Sequence, residues 1–334
     1  MNPRFKTNLI EHIKAVSSWA GRHGATATVD ALTFALSLQV KGERLTLHPQ
    51  FVGKRPGGQL MYSDQADAFA VGFVGWLPYR PLTWDISLSK LAFKQLAQAL
   101  GLDTPAHWQG AAATATIDVP CLVKRARGAF GYGMRGPFST AQRVAELERQ
   151  PLQEGEYLEA FHAGRIARAW YWSGRLAVLE VFDMPQVTGD GTSRVQELLL
   201  RRTAEVPDDL GALLQLQGVG ADTVLAAGQR VVCDYRYVSP FNPTVYANSN
   251  VLHRLAGTAL RQRFEQAGQR LWPHIGAPAG AAGRHAGYVL DAIVDADDRP
   301  WFLEVNSNAQ GHPDLYAPML DQLCAPALAQ AIAA

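Results

Sequence analysis

The sequence predicts an α+β fold, with strands pairing largely antiparallel instead of in strict β-α-β alternation. Three observations carry this reading. Residues 4–20 place Phe5, Leu9, Ile13, Val16 and Ala20 on one helical stripe. Residues 288–294 and 301–305 are apolar, β-prone runs flanking the polar loop Asp295–Pro300, which is the pattern of a β-hairpin. Between them, short strand-like runs outnumber helical stretches and follow one another directly.

In chain order, residues 25–52 read as short strands and 54–58 as a loop whose Lys54 and Arg55 suit either phosphate or solvent. Ala68 to Leu77 is an apolar run, a buried strand broken by Pro78 and Pro81. A helix follows at about 88–100, capped by Ser87 or Ser89 and stopped by Gly101 and Pro105. That cap places Lys90 in the first turn, where the helix dipole favours anions over cations. Such a lysine is either indifferent or directed at an anionic ligand.

Ile117 to Lys124 is a strand, and Gly128, Gly131 and Gly133 follow among Arg125, Arg127 and Arg135. Glycines there let backbone N–H groups approach an anion, although an ordinary hairpin loop has the same composition. Ser139 to Gln150 is a helix; Tyr157 to Trp172 is a strand, a turn at Gly164 and a second strand; Leu176 to Asp183 is another strand. Thr188 to Gly191 is a turn entering a helix near 193–202, Val231 to Val238 is strand-like, and Val251 to Ile275 is the longest helical pattern. Residues 277–283 form a small-residue linker into the hairpin.

If Val294 and Trp301 close the hairpin, Asp291 lies directly across from Glu304. Alternation then puts Val289, Asp291, Ile293, Phe302, Glu304 and Asn306 on one face. The other face carries Leu290, Ala292, Val294, Trp301, Leu303 and Val305. The two carboxylates would have Cβ atoms roughly 5 Å apart, which is destabilising unless a positive charge intervenes. A hard divalent cation, with the Asn306 carbonyl as a further oxygen ligand, resolves the repulsion; two solvated carboxylates would also satisfy the spacing.

Bulk properties set the frame. The chain has 334 residues, 48% hydrophobic and 18% charged, with net charge +1. Its length suggests two or three domains, and its charge balance gives no reason to expect nucleic acid or a membrane surface. No stretch approaches the roughly 20 apolar residues of a membrane span, and no signal peptide is visible. Cys121, Cys233 and Cys324 are far apart and odd in number, which suits a reducing compartment, the cytoplasm by default, and suggests neither disulfides nor zinc.

Taken together, the hairpin, Lys124 with its glycine loop and the Lys90 helix resemble the ATP-grasp ligases. The branch they bring to mind contains cyanophycin synthetase, glutathione synthetase and ribosomal-protein glutamate ligase. Glu304-Val305-Asn306, with Asp291 upstream, matches the family's metal-ligand hairpin, and Lys124 to Met134 matches its strand-lysine-glycine-loop. Ser89-Lys90 matches the helix whose lysine also reaches phosphate, and Leu158 to Arg168 resembles the interdomain hinge followed by an arginine strand. Thr188 to Leu198 resembles the substrate loop of the cyanophycin-synthetase branch. The motifs run in family order from about residue 85 to 311. Two departures stand out: Ile166 occupies the place of the acid that holds ribose, and Ala309-Gln310 replaces the usual proline before Gly311.

The resemblance implies an ATP-grasp fold, two α+β subdomains gripping ATP behind a smaller N-terminal α/β domain. The expected division is 1–105 for the N-terminal domain, 106–175 for the lid and 176–334 for the C-terminal subdomain. It implies ATP and Mg²⁺ (or Mn²⁺), with Asp291, Glu304 and Asn306 as metal ligands and Lys90, Lys124, Gly128, Gly131, Gly133 and Glu159 around the nucleotide. Arg168 and Arg236 are candidates for neutralising the transferred phosphate or an oxyanion, each equally suited to a structural ion pair. The implied activity is a cytoplasmic carboxylate–amine ligase acting through an acyl phosphate on small-molecule or peptide partners, as a monomer or a homo-oligomer. A maturase of ribosomally made peptides, forming lactam or ester cross-links, and a non-catalytic nucleotide-binding protein are the alternatives. His162, His253, His285 and His312 read as surface or packing residues, with His312 the best functional candidate of the four.

Overall fold

The computed structural model describes residues 3–54, 60–110, 117–128, 133–203, 210–237, 239, 241, 248–276, 285–308 and 310–330. Side chains of 3–8, 54, 60 and 330 lie outside that description, as do Gly131, Ala309, the 55–58 loop and the 277–283 linker.

Helix α1 (Pro3–Arg22) leads into β1 (Thr26–Val29), β2 (Leu36–Val40), β3 (Glu43–Lys54), β4 (Leu60–Ser63) and β5 (Ala70–Leu77). These strands form one antiparallel sheet, β1-β2-β3-β4, with β5 also paired to β3. The face that α1 buries carries His12, Val16, Trp19 and Ala20, whereas Ile13 of the expected stripe is exposed. Tertiary contacts set this rotation: Trp19 Nε1 donates to Asp321 Oδ1 at 2.8 Å, and His12 Nδ1 meets Tyr316 Oη at 2.8 Å.

Next come α2 (Asp85–Leu88) and α3 (Lys90–Ala99), with Ser89 capping α3 by accepting from Ala92 N. A second sheet, ordered β6-β9-β7-β8, is built from β6 (His107–Trp108), β7 (Cys121–Arg125), β8 (Arg135–Phe138) and β9 (Glu156–Ala160). Helix α4 (Thr140–Arg149) opens on a capping box between Ser139 and Gln142, which satisfies two terminal N–H groups reciprocally.

The third sheet, ordered β11-β10-β14-β15, is antiparallel throughout. Its strands are β10 (Arg165–Trp172), β11 (Arg175–Asp183), β14 (Gly287–Val294) and β15 (Pro300–Asn306). The two strands read from Tyr157 to Trp172 thus belong to different sheets. The chain crosses between them at Gly164, where a Cβ would collide with the Val294 carbonyl. Between β11 and β14 lie β12 (Gln186–Thr188), α5 (Val195–Leu200), α6 (Leu210–Leu216), β13 (Arg230–Val232) and α7 (Ala259–Gly276). The strand expected over 231–238 is shorter than read, and the helix expected from Val251 begins only after Gly257, which adopts φ +78°. A 3-10 turn (Pro313–Leu315), α8 (Tyr316–Leu323) and α9 (Ala325–Gln330) follow the hairpin. Cys121, Cys233 and Cys324 are buried free thiols.

The hairpin pairs as expected at its open end, Asp291 opposite Glu304 and Val289 opposite Asn306, and then slips by one residue so that Ala292 pairs with Phe302. A one-residue bulge exchanges the faces of everything beyond it. Phe302, expected beside the carboxylates, instead joins Leu290, Ala292 and Val305 in the main core. Leu303 and Trp301 leave their expected places in that core: Leu303 packs on a second cluster and Trp301 stacks on His162 at 4.0 Å. Phe302 N–H donates to Asp103 O at 2.8 Å, which ties the slipped segment to the loop after α3.

The cores explain where a site can form. One face of the third sheet, with Ala167, Ala169, Leu179 and Leu290, is sealed in the main core with Phe264 and Leu271 of α7. On the other face, Ile166 and Ile293 are buried in the second cluster with Leu198 and Leu213, while Trp170 and Val289 meet the main core at the far end. Charged residues occupy the strip between these two apolar ends.

Candidate functional site

Across that strip, β-register aligns Glu180 with Arg168, Arg168 with Asp291, and Asp291 with Glu304. Residues directly opposite in adjacent strands share a face, so the four side chains form one row. Arg168 forks onto Asp291, Nε to Oδ1 at 2.5 Å and Nη2 to Oδ2 at 2.8 Å, and Asn306 Nδ2 donates to Asp291 Oδ2 at 2.9 Å. At the end of the row Lys90 Nζ meets Glu304 Oε2 at 2.8 Å. The same ammonium donates to Gly128 O at 2.6 Å, so one lysine joins the start of α3, the glycine loop and the hairpin.

Burial raises the Asp291 carboxyl above the ordinary range, with Glu304 adding to the push and Arg168 opposing it. Burial acts on Glu304 the same way, but Lys90, Lys124 and Arg168 outweigh it and hold that carboxyl below its usual value. Burial disfavours the Arg168 cation, yet Asp291 more than compensates and keeps it protonated. Tyr237 covers the guanidinium, its ring centroid 3.6 Å from Arg168 Cζ, and donates its hydroxyl to Glu180 Oε2 at 2.8 Å.

A second charged cluster adjoins the row. Glu159, 1% exposed, accepts from Lys124 Nζ on Oε1 at 2.6 Å and from Lys94 Nζ on Oε2 at 2.7 Å. Lys94 is wholly buried and also donates to Thr104 Oγ1 at 3.0 Å. Burial pushes the Glu159 carboxyl up, but Lys124 and Lys94 bring it down to about 2. Burial lowers Lys94 from its usual value despite the Glu159 charge. Two lysines thus share one buried carboxylate.

The structure therefore brings Lys90, Lys124, Glu159, Arg168, Asp291, Glu304 and Asn306 into one region. Gly128 and Gly133 flank its loop with φ +149° and +71°, conformations that favour glycine. Glu159, expected around the nucleotide, engages Lys124 and Lys94 through its side chain. Arg168 is the partner of Asp291 here, and Arg236 pairs with Asp234, Nε to Oδ1 at 2.9 Å. Ile166 faces the second apolar cluster and offers nothing polar to a ligand.

Sequence reasoning missed four residues. Lys94 follows Lys90 by one helical turn, a spacing that places both on one face and could have been read. Glu180 and Tyr237 depend on register and on a loop beside β11, which no local pattern encodes. Tyr62 on β4 brings the N-terminal sheet to the row. Burial raises its phenol, Glu304 and Asp291 add to the rise, and Arg168 opposes it.

The donor set can be tested against a divalent cation. Among the described residues no group of three or more His, Cys, Asp or Glu could hold a metal ion. Two carboxylates and one amide carbonyl are hard oxygen donors that fit Mg²⁺ when phosphate oxygens complete its shell.

No family model and no curated protein matches the chain. Among solved structures it is similar to a bifunctional glutathione synthetase from Pasteurella multocida, at 14% identity and TM-score 0.43, over 94% of this chain and 43% of that one. It is also similar to a D-alanine–D-alanine ligase from Bacillus anthracis, at 15% identity and TM-score 0.39, over 73% of this chain and 68% of that one. A third is the ATP-grasp ligase PsnB, solved with a phosphomimetic variant of its minimal precursor, Mg and ADP, at 13% identity and TM-score 0.37, over 72% of this chain and 58% of that one. The likeness is to ATP-grasp ligases. The chain spans less than half of the glutathione synthetase, and likenesses this remote carry no argument about residues. The roles below rest on geometry and chemistry.

Proposed function

We propose that the chain is an ATP-dependent carboxylate–amine ligase that forms an amide through an acyl phosphate and releases ADP and phosphate. The observation that carries this reading is the Asp291–Glu304 pair on facing strands, ringed by Lys90, Lys124 and Arg168. Phosphoryl transfer needs positioning and charge neutralisation more than covalent help, and such a ring supplies both.

In this reading the β6–β9 sheet is the lid and the β10–β15 sheet is the base. Lys90 and Lys124 exchange part of their carboxylate contacts for phosphate oxygens, and backbone N–H groups near Gly128 and Gly133 cover the phosphates. Asp291, Glu304 and Asn306 would hold Mg²⁺, which would supply neutralisation of phosphate charge. Arg168 keeps Asp291 oriented, and Lys94 keeps Glu159 and hence Lys124 in place. A substrate carboxylate oxygen attacks the γ-phosphorus, ADP departs, and an amine then displaces phosphate from the acyl carbon as it loses a proton. Arg236 is proposed to meet the developing oxyanion after leaving Asp234.

Purified protein with Mg-ATP and pooled amino acids and dipeptides should release ADP and phosphate in equal amounts, and Glu304→Gln should remove the release while leaving the fold intact. Full turnover by Glu304→Gln would refute the assignment.

A further inference from the structure

The facing carboxylates of the hairpin are held by donors of the chain itself. Lys90 Nζ lies 2.8 Å from Glu304 Oε2 and donates to Gly128 O at 2.6 Å. Both Asp291 oxygens are engaged, Oδ1 by Arg168 Nε and Oδ2 by Arg168 Nη2 and Asn306 Nδ2. Three of the four oxygens of the pair therefore take a donor from the chain, and Asn306 turns its amide nitrogen toward them. A divalent cation reaching Glu304 meets the Lys90 ammonium at the same oxygen, and like charges at that separation repel strongly.

The two cations on the pair are not equivalent. Arg168 stands on β10, the strand paired to β14, makes two parallel bonds, and has the Tyr237 ring centroid 3.6 Å from its Cζ. A planar fork held in that way is fixed by its geometry. Lys90 is a single ammonium on a flexible four-carbon stem. It comes from α3, outside the sheet, and is the first residue of that helix, where the dipole disfavours a cation. The side chains of Lys90 and Glu304 keep 18% and 24% of their surface, so ions from solvent reach this contact. Arg168 is built in, whereas Lys90 can leave.

We infer that Lys90 is a tethered counter-ion that keeps free divalent cations off Glu304, so that metal enters the hairpin only together with a nucleotide whose phosphates draw the lysine away. The inference rests on the ligase reading for the nucleotide's part in it. A triphosphate gives the ammonium another anionic acceptor, and Glu304 then turns to the metal. Linkage makes the effect mutual: the factor by which nucleotide strengthens metal binding is the factor by which metal strengthens nucleotide binding. Removing the Lys90 charge then acts in opposite directions on two ligands. It opens two facing carboxylates to a bare cation, and it deprives Mg-ATP of one phosphate contact. A lysine that served the phosphates alone would leave the binding of a bare cation unchanged.

The test titrates Mn²⁺ alone, which shares the oxygen-ligand preference of Mg²⁺, into the full chain and follows the loss of the free-ion signal by electron paramagnetic resonance. The wild type is compared with Lys90→Met, Lys90→Gln and the double variant Lys90→Met/Glu304→Gln, each checked for folding by thermal melting, and Mg-ATP binding is measured separately by calorimetry. Each lysine variant should bind Mn²⁺ about tenfold or more tightly than the wild type, and the double variant should lose that gain. Tight binding of Mn²⁺ by the wild type without nucleotide overturns the inference by itself. So does a folded lysine variant that binds Mn²⁺ no better than the wild type, or a double variant that keeps the gain; the ligase reading then stands or falls on Mg-ATP binding by the wild type. If the lysine variants gain Mn²⁺ as described but the wild type does not bind Mg-ATP, the ligase reading fails and Lys90 remains the counter-ion that guards Glu304.

Discussion

Arg168 and Asp291 are locked together through two parallel hydrogen bonds on neighbouring strands, with Asn306 completing the hold on the carboxylate. Bidentate arginine–carboxylate pairs are geometrically specific as well as strong. Their value here lies in what Asp291 faces. Glu304 is its cross-strand partner, and two buried carboxylates in register would repel without a cation beside each. Arg168 serves one and Lys90 the other, so the hairpin can fold with its carboxylates in place before any ligand arrives.

This arrangement makes the arginine hard to replace. Arg168→Met should cost about 3 kcal/mol or more, because it leaves a buried carboxylate without its partner. Arg168→Lys should recover only part of the loss, since an ammonium cannot reproduce the fork. Adding Asp291→Asn to Arg168→Met should restore much of the stability. Chemical denaturation of the three variants gives the comparison, and a double variant less stable than Arg168→Met would contradict it.

The Lys94–Glu159–Lys124 cluster predicts an order of effects. Glu159→Gln leaves two lysines facing each other with Lys94 wholly buried, and should destabilise by about 3–5 kcal/mol. Lys94→Met leaves the Glu159–Lys124 pair intact and should cost far less. Thermal melting of both variants checks this, and equal losses would show that the cluster does not act as described.

His12 gives a pH dependence. Burial lowers its pKa to about 3, with the His312 charge contributing, and it lies among Phe73, Tyr316 and His312. The native state therefore takes up this proton only near pH 3, whereas the unfolded chain takes it up near the ordinary histidine value of 6.5. Between these values the unfolded state binds more protons, so stability from His12 is complete above pH 6.5 and falls as pH drops toward 3. The slope is at most about 1.4 kcal/mol per pH unit for one such group. Denaturation at pH 7 and pH 5 should show a smaller difference for His12→Gln than for the wild type; identical differences would remove His12 from the account.

Much of the α+β architecture was legible because it follows from local pattern. The helix over α1, the Ser89 cap and the strands around the hairpin all announce themselves by period, cap or turn residue. The pairing of Asp291 with Glu304 was read from a loop closed by Val294 and Trp301; Val294 pairs with Pro300 instead, and the bulge between Phe302 and Glu304 restores the expected pair. What was not legible depends on partners distant in sequence. Phe302 changed faces because of a bulge tied to Asp103, and Ile13 lost its buried place because Trp19 and His12 answer to Asp321 and Tyr316. Glu180 entered the charged row through the register of β11 on β10, and Tyr62 approached it from another sheet. Residues such as these acquire a role only when sheets are assembled.

The proposed role of the Asp291–Glu304 hairpin and the lysines around it is to receive the phosphates of Mg-ATP. Calorimetric titration of ATP, with and without Mg²⁺, into the wild type, Lys90→Met and Glu304→Gln tests it most directly. Mg²⁺-dependent binding by the wild type is expected, weakened about tenfold or more in each variant by the loss of a charged contact. Binding of equal strength in all three proteins, or binding indifferent to Mg²⁺, would contradict it.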